Sequence, residues 1–360
     1  EKNRPMSRLS TILCEMLECK YPIVQTGMGR VATPELAAAT SNAGGFGFLA
    51  VSTFSPEQVE PAIIKTKSLT DKTFGINFQM IQPGAEHVVD MTIKHGLKAI
   101  VYSRAPNPEW VARLKQAGVV CMPTVSAVRH AVKAVELGAD IVTVQGGEGG
   151  GHTGGVPTTV LLPQVIDAVD VPVVAAGGFK DGRGLAAALA YGASGIAMGT
   201  RFFMTKESPV PDATQAHYID ETDATRIPVS KKVDGLPQRM IRNGLLDHLD
   251  QASSVRLLWY ALRNGLAYRK ETGASVGDLL SSAFKLISQD SLTIAQTMMA
   301  ANAPMMLEKS LIQGLPDEGL LPAGQVAAAI NEIISCEQLI ADIVAQAEQQ
   351  LAALGVPERN

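Results

Sequence analysis

Short apolar, β-branched runs recur along the first two-thirds of the chain, at residues 21–25, 46–51, 74–78, 99–102, 119–123, 141–145, 171–176 and 195–198. Their hydrophobicity is nearly continuous rather than strictly alternating, as it is in strands buried on both faces of a parallel sheet. Amphipathic segments lie between them, and three open on strong start signals. Thr33-Pro34-Glu35, Ser55-Pro56-Glu57-Gln58 and Asn107-Pro108-Glu109 each offer a capping side chain followed by proline at the first helical position. Gln58 also completes a capping box with Ser55. Helices are expected to end at Gly44, Gly96, Gly118 and Gly138, where the absence of a Cβ permits the left-handed closing residue. Eight strand–helix units predict an α/β fold, a (β/α)8 TIM barrel.

One stretch tempts toward a doubly wound sheet instead. Gly27-Met28-Gly29-Arg30-Val31-Ala32 follows the first strand and imitates a dinucleotide fingerprint. Thr33-Pro34 starts the helix too late for those glycines to open it, and the second strand ends without the acid that would bind a ribose. The barrel is the better reading.

The pattern changes after Thr205, where a polar connector gives way to helical stretches at 254–267 and 276–287 without strand-like runs. This predicts a barrel over residues 8–205 and 311–360, with 206–310 a helical insertion after the eighth strand that covers the active-site mouth. A last helix over 323–354 would close the barrel and continue as a tail rich in Ala, Ile and Leu. Such a tail suits a homodimer contact or packing on its own barrel.

In a barrel, catalysis sits on the face formed by the residues just after each strand. Those positions gather Gln25 to Met28, Asn77, Thr124, Gln145 to His152, Gly177-Gly178 and Gly199-Thr200. The last two pairs follow strands seven and eight, where backbone N–H groups commonly hold a phosphate. Tight barrel turns would also account for them. One phosphate site, no second phosphate motif and a glycine-rich loop suggest a mononucleotide, and FMN is the common one in redox barrels.

Composition narrows the partners. A formal net charge of -4 without any block of like charge gives no attraction to nucleic acid or an anionic membrane. No apolar run is long enough to span a bilayer, and no secretory signal is evident. The cysteines at 14, 19, 121 and 336 lack zinc-site spacing, so no metal is expected, and reduced thiols in a cytoplasmic protein are.

Three linked motifs, Q-G-x-E-G-G-G-H-T-G at 145–154, A-A-G-G-F-x-D-G-R-G at 175–184 and M-G-T-R-F at 198–202, stand with Q-T-G-M-G near the start and A-G-Q at 323–325. Together they resemble the nitronate monooxygenase family, formerly called 2-nitropropane dioxygenases. The resemblance implies FMN, with Gly149, Gly150 and Gly151 letting the backbone approach the flavin and Gln145 touching its ring system. It implies further that Met28 and Asn77 contact the ring, and that Gly177, Gly178, Gly199 and Thr200 hold the phosphate; Gly27 and Thr124, at the ends of the first and fifth strands, are also expected to bind the cofactor. His152 would face the reactive edge as the catalytic residue, although a histidine in a glycine loop also serves simply to satisfy local hydrogen bonds. Glu148 is read as an anchor for the loop.

The resemblance ranks two enzyme functions above a barrel that has lost its activity. The first is oxidation of an alkyl nitronate with O2 to a carbonyl compound and nitrite. The alternative is an NAD(P)H-dependent flavin reductase or dehydrogenase acting on an enoyl or CoA thioester. V-D-G-L-P-x-R-M-I-R-N-G at 233–244 and M-A-A-N-A-P-M at 299–305 look like the steroid-degradation branch of the family. Arg239 and Arg242, with Lys231 and Lys232, are candidates for a CoA phosphate, or else a solvated charged face.

Overall fold

The eight apolar runs become the strands of one parallel sheet. In chain order they are β1 (Ile23–Gln25), β2 (Phe46–Ala50), β3 (Gly75–Gln79), β4 (Ala99–Ser103), β5 (Val120–Cys121), β6 (Thr124–Val125) and β7 (Val142–Gln145). After a two-residue strand β8 (Gly151–His152) outside this sheet come β9 (Val173–Ala176) and β10 (Gly195–Met198). The computed structural model describes residues 8–80, 82–103, 106–251 and 294–357.

The hydrogen-bonded order is β5-β4-β3-β2-β1-β10-β9-β7-β6. The two terminal members, β5 and β6, are one run of chain interrupted only by Met122 and Pro123. Across that break the Met122 amide donates to the Ile100 carbonyl at 2.9 Å, and the Thr143 amide donates to the Pro123 carbonyl at 2.9 Å. The ladder therefore passes through the interruption and closes the sheet into a barrel. Pro123 has no N–H to give, which is why the fifth strand is split in two.

The expected helix signals work locally. Asn107 Oδ1 accepts the Glu109 amide at 2.9 Å to open helix Pro108–Gln116, and the Ser55 amide donates to Gln58 Oε1 at 2.9 Å to complete the capping box of helix Pro56–Leu69. Gly44, Gly96, Gly118 and Gly138 all take positive φ, at 93°, 57°, 75° and 98°.

Strand alternation divides the core. Val24, Phe46, Phe48, Val101, Met122, Ile141, Val174 and Ala197 fill the barrel, and Leu13 and Leu17 of helix Ile12–Leu17 join the same cluster. Leu49, Ile76, Ile100 and Tyr102 point outward and pack with Val59, Ile63, Val88 and Leu114 of the surrounding helices. Each fully buried large side chain contributes about 1.5–3 kcal/mol.

The chain forms two compact units, one of Glu1–Gly149, Gly154–Pro209 and Ala329–Asn360, the other of Gly150–Thr153 and Val210–Ala328. In the second, β11 (Val229–Ser230) and β12 (Gln238–Arg239) join β8 in an antiparallel sheet of order β11-β12-β8. Two-residue strands leave no apolar run to read, so the sequence pattern missed them. Val233, Met240, Leu245, Leu246, Leu249, Met306 and Leu320 form this unit's apolar cluster, with helix Gly244–Gln251 supplying three of them. The helices expected at 254–267 and 276–287 lie outside the described residues.

The single helix expected over 323–354 is corrected. A 3-10 turn at Gln325–Ala329 leads into an extended link, and the α-helix is Cys336–Ala353. The link takes partners elsewhere: the Lys206 amide donates to the Ile334 carbonyl at 3.1 Å, and Arg201 Nη1 donates to the Glu332 carbonyl at 3.2 Å. Ser335 then caps the helix, its hydroxyl accepting the Gln338 amide at 3.2 Å. The tail packs on its own barrel, with Leu339, Ile340, Ile343 and Ala347 buried. Gly182 makes the contact close, since a Cβ there would lie 2.4 Å from the Ile343 carbonyl oxygen.

Candidate active site

The inward row of each strand is apolar at depth and turns polar toward its C-terminal end. With period two, Val24 is followed by Thr26, Gly75 by Asn77 and Gln79, Met122 by Thr124, and Ile141 by Thr143 and Gln145. These polar ends line a cavity of about 230 Å³ in the barrel unit, together with Gly27, Gly29, Ser52 and Ser103. The lining carries hydroxyls and amides but no charged side chain. It suits an uncharged ring bearing carbonyl and N–H groups, which is the chemistry of the isoalloxazine that the resemblance implies.

Four of the expected cofactor-binding residues, Gly27, Asn77, Thr124 and Gln145, thus share one cavity. Gly27 is required by Asn77, because a Cβ at 27 would fall 2.1 Å from Asn77 Cγ. Met28 adjoins Gly199, where a Cβ would lie 3.6 Å from Met28 Sδ and 3.3 Å from Thr26 Oγ1. Thr200 begins the short helix Thr200–Phe203. Gly177 and Gly178 have φ of 98° and 82°, and the Gly177 carbonyl accepts the Thr158 hydroxyl at 3.0 Å.

Much of the glycine loop is explained by chain packing on chain. A Cβ at Gly146 would strike Thr158 Oγ1 at 2.0 Å, and one at Gly149 would strike Gln145 Nε2 at 2.5 Å. Glu148 anchors the loop. Its carboxylate accepts the Thr158 amide at 2.9 Å and the Thr158 hydroxyl at 2.8 Å, capping helix Thr158–Ile166, whose own N-cap, Pro157, has no side-chain acceptor to offer.

Gly150, Gly151 and His152 belong to the second unit. A Cβ at Gly150 would meet the Gly324 amide nitrogen at 2.5 Å, so this glycine is needed where the A-G-Q segment passes. Gly151 has φ of 65° and pairs with Arg239, which sets His152 directly opposite Gln238 across β8 and β12. His152 Nε2 lies 2.7 Å from Asp234 Oδ2, and the Gln238 amide also donates to Asp234 Oδ2. Asp234 Oδ1 accepts the Leu236 amide at 3.0 Å.

Asp234 is buried, whereas the His152 side chain is 57% exposed. Burial opposes ionisation of Asp234, but the hydrogen bond and charge of His152 and the Leu236 and Gln238 donors outweigh it and hold the carboxyl below its usual range. Sequence reasoning missed Asp234 and Gln238, although both stand in the V-D-G-L-P-Q-R segment. The signal was there as an Asp-Gly turn ahead of a strand, and Gly235 does take φ of 87°. The arginines singled out in that segment are engaged locally: Arg242 Nε pairs with Asp247 at 2.6 Å, and Arg239 Nη1 donates to the Ile227 carbonyl at 2.6 Å.

Size alone does not select the site. A larger cavity of about 430 Å³ lies beside helix Cys336–Ala353, where Arg183 is matched by Asp181, Arg201 by Glu332, and Lys180 Nζ donates to the Ala329 carbonyl at 2.7 Å.

Comparison with known proteins gives the family. Residues 10–98 and 80–346 match the family model described as nitronate monooxygenase. The (3aS,4S,5R,7aS)-5-hydroxy-7a-methyl-1-oxo-octahydro-1H-indene-4-carboxyl-CoA dehydrogenase of Rhodococcus jostii (strain RHA1) is 47% identical over 352 residues, covering 97% of this chain and 99% of that relative. The protein of the same name from Mycobacterium tuberculosis (strain ATCC 25618 / H37Rv) is 44% identical, over 94% of this chain and 96% of its own length. Among solved structures, FabK from Thermotoga maritima superposes with a TM-score of 0.78 at 28% identity, covering 96% of this chain and 98% of that one. On the strength of a family match that runs through most of its length and of relatives alike almost from end to end, the chain belongs to the nitronate monooxygenase family and is an oxidoreductase.

Proposed function

We propose that this chain is an FMN-dependent dehydrogenase of a hydroxylated bicyclic CoA thioester, the substrate type that names its Rhodococcus and Mycobacterium relatives. The observation that carries the reading is the extent of the likeness: at 47% identity over 97% of the chain, it takes in the second unit as well as the barrel. In this reading the strand ends of the barrel bind the cofactor, and His152 takes the substrate's proton.

The neutral lining at Thr26, Asn77, Thr124 and Gln145 would hold the flavin ring by hydrogen bonds, and the backbone at Gly177, Gly178, Gly199 and Thr200 its phosphate. When bound, the flavin supplies the two-electron sink. Oxidising a secondary alcohol separates a hydride on carbon from a proton on oxygen, and His152 receives that proton. Asp234 keeps the imidazolium so formed beside a negative charge, which lowers the cost of the transfer. The electrons leave to NAD(P)+ or to O2.

The family-model match favours a second reading, oxidation of an alkyl nitronate with O2. There His152 would orient the nitronate anion or deprotonate the neutral nitroalkane.

One experiment separates the two. The purified holoprotein is held anaerobically and its visible spectrum recorded after separate additions of the indane CoA thioester, propyl-2-nitronate, NADH and NADPH. Bleaching of the flavin by the CoA thioester with no response to the nitronate supports the dehydrogenase. Bleaching by the nitronate alone returns the chain to the monooxygenase reading, and a colourless protein that binds no FMN removes both.

A further inference from the structure

The contact between His152 and the second unit's own buried carboxylate determines more than the ring's location. Asp234 Oδ2 receives two donors at once, His152 Nε2 at 2.7 Å and the Gln238 side-chain amide, while Oδ1 is held by the Leu236 amide at 3.0 Å. The 3.1 Å approach of Gln238 Nε2 to His152 Nε2 is that of two donors converging on one oxygen. Turning the Gln238 amide over would set its carbonyl against the carboxylate, so the network fixes its orientation. The same argument fixes the imidazole. A neutral ring with a lone pair at Nε2 would set lone pair against carboxylate at 2.7 Å, whereas a proton there makes a charge-assisted hydrogen bond.

The geometry points to Asp234, braced by Gln238, as a positioning residue that holds neutral His152 in the tautomer protonated at Nε2, so that Nδ1 is the nitrogen that takes up a proton. This rests on the reading of His152 as the proton acceptor and adds to it which atom accepts and what enforces that choice. The backbone supports the arrangement. The register of β8 against β12 sets His152 opposite Gln238, the Thr153 amide donates to the Pro237 carbonyl at 3.2 Å, and the turn at Gly235 returns Asp234 beneath the ring.

The test is Asp234→Asn in the full-length holoprotein. Asparagine keeps an Oδ1 for the Leu236 amide, so the turn survives, but its other terminus becomes an NH2 that donates to the ring. Nitrogen-15 NMR of labelled histidine, with the His152 signals assigned by their loss in His152→Asn, reads the tautomer directly. The expected result is a native ring protonated at Nε2 that shifts in Asp234→Asn to protonation at Nδ1. With it, kcat for the indane CoA thioester or propyl-2-nitronate, whichever the wild type turns over, should fall about 10²–10⁴-fold with KM changed little. Gln238→Leu leaves the carboxylate in place and should keep the ring protonated at Nε2 with a smaller loss of kcat; where the Asp234 variant does not fold, the wild-type ring is the test, and a native ring protonated at Nδ1 overturns the inference. A ring still protonated at Nε2 in Asp234→Asn overturns the inference. If the tautomer switches but His152→Asn keeps full turnover, positioning by Asp234 stands and the proton-acceptor reading of His152 fails.

Discussion

At Gly27 a single missing carbon opens the barrel cavity. A methyl group there would fall 2.1 Å from Asn77 Cγ, inside any tolerable contact, so the Asn77 side chain would have to leave the polar lining. If the proposed flavin site is right, Gly27→Ala should fold but purify with a much reduced flavin absorbance; undiminished yellow colour would remove Gly27 and Asn77 from that proposed site. Asp234 gives a second prediction at this scale. Its native carboxyl titrates below its unfolded range, so the stability it contributes is present above the ordinary carboxylate pKa of about 4 and is lost as pH falls through the lowered native value. Urea melts between about pH 5 and 3 should show the wild type losing stability more steeply than Asp234→Asn; parallel curves would mean that the pair contributes nothing to folding.

Among the elements, helix Thr158–Ile166 takes its N-terminal cap from a side chain outside its own flank. Preceded by Pro157, it takes its cap from Glu148, ten residues back in the glycine loop. The carboxylate satisfies the Thr158 amide and hydroxyl and places negative charge at the positive end of the helix dipole. Glu148→Ala should lower stability by about 1–2 kcal/mol and loosen the loop, while Glu148→Gln should recover part of it. Equal stability of all three proteins in chemical denaturation would contradict the capping role. The helices at Pro34–Asn42 and Pro108–Gln116 contrast with this one, since Thr33 and Asn107 stand next to the turns they cap and are legible from local sequence.

For the molecule as a whole, the barrel is closed along the chain by β5 and β6 and reinforced from outside by the last helix. That helix, Cys336–Ala353, lies on helix Gly182–Ala190 at a glycine, where a Cβ would meet the Ala347 amide nitrogen at 2.4 Å. Gly182→Val should therefore cost about 1–3 kcal/mol and lower Tm by several degrees, because backbone rather than a flexible side chain must give way. An unchanged Tm would show that the tail is not part of the cooperative barrel.

The sequence alone carried the barrel, because strand runs, helix caps and closing glycines are local features, read within a few residues of where they act. It also placed Asn77, Thr124 and Gln145 together, since strand ends in a barrel converge by topology. Tertiary structure alone decided the rest. Gly146, Gly149 and Gly150 owe their identity to Thr158, Gln145 and the Ala323–Gly324 backbone, and the last of these lies far off in the chain. The last helix begins at Cys336 because Lys206 and Arg201 claim the backbone before it. The partner of His152 is set by the register of two-residue strands 86 residues apart, and strands so short leave no hydrophobic pattern from which that register could be read.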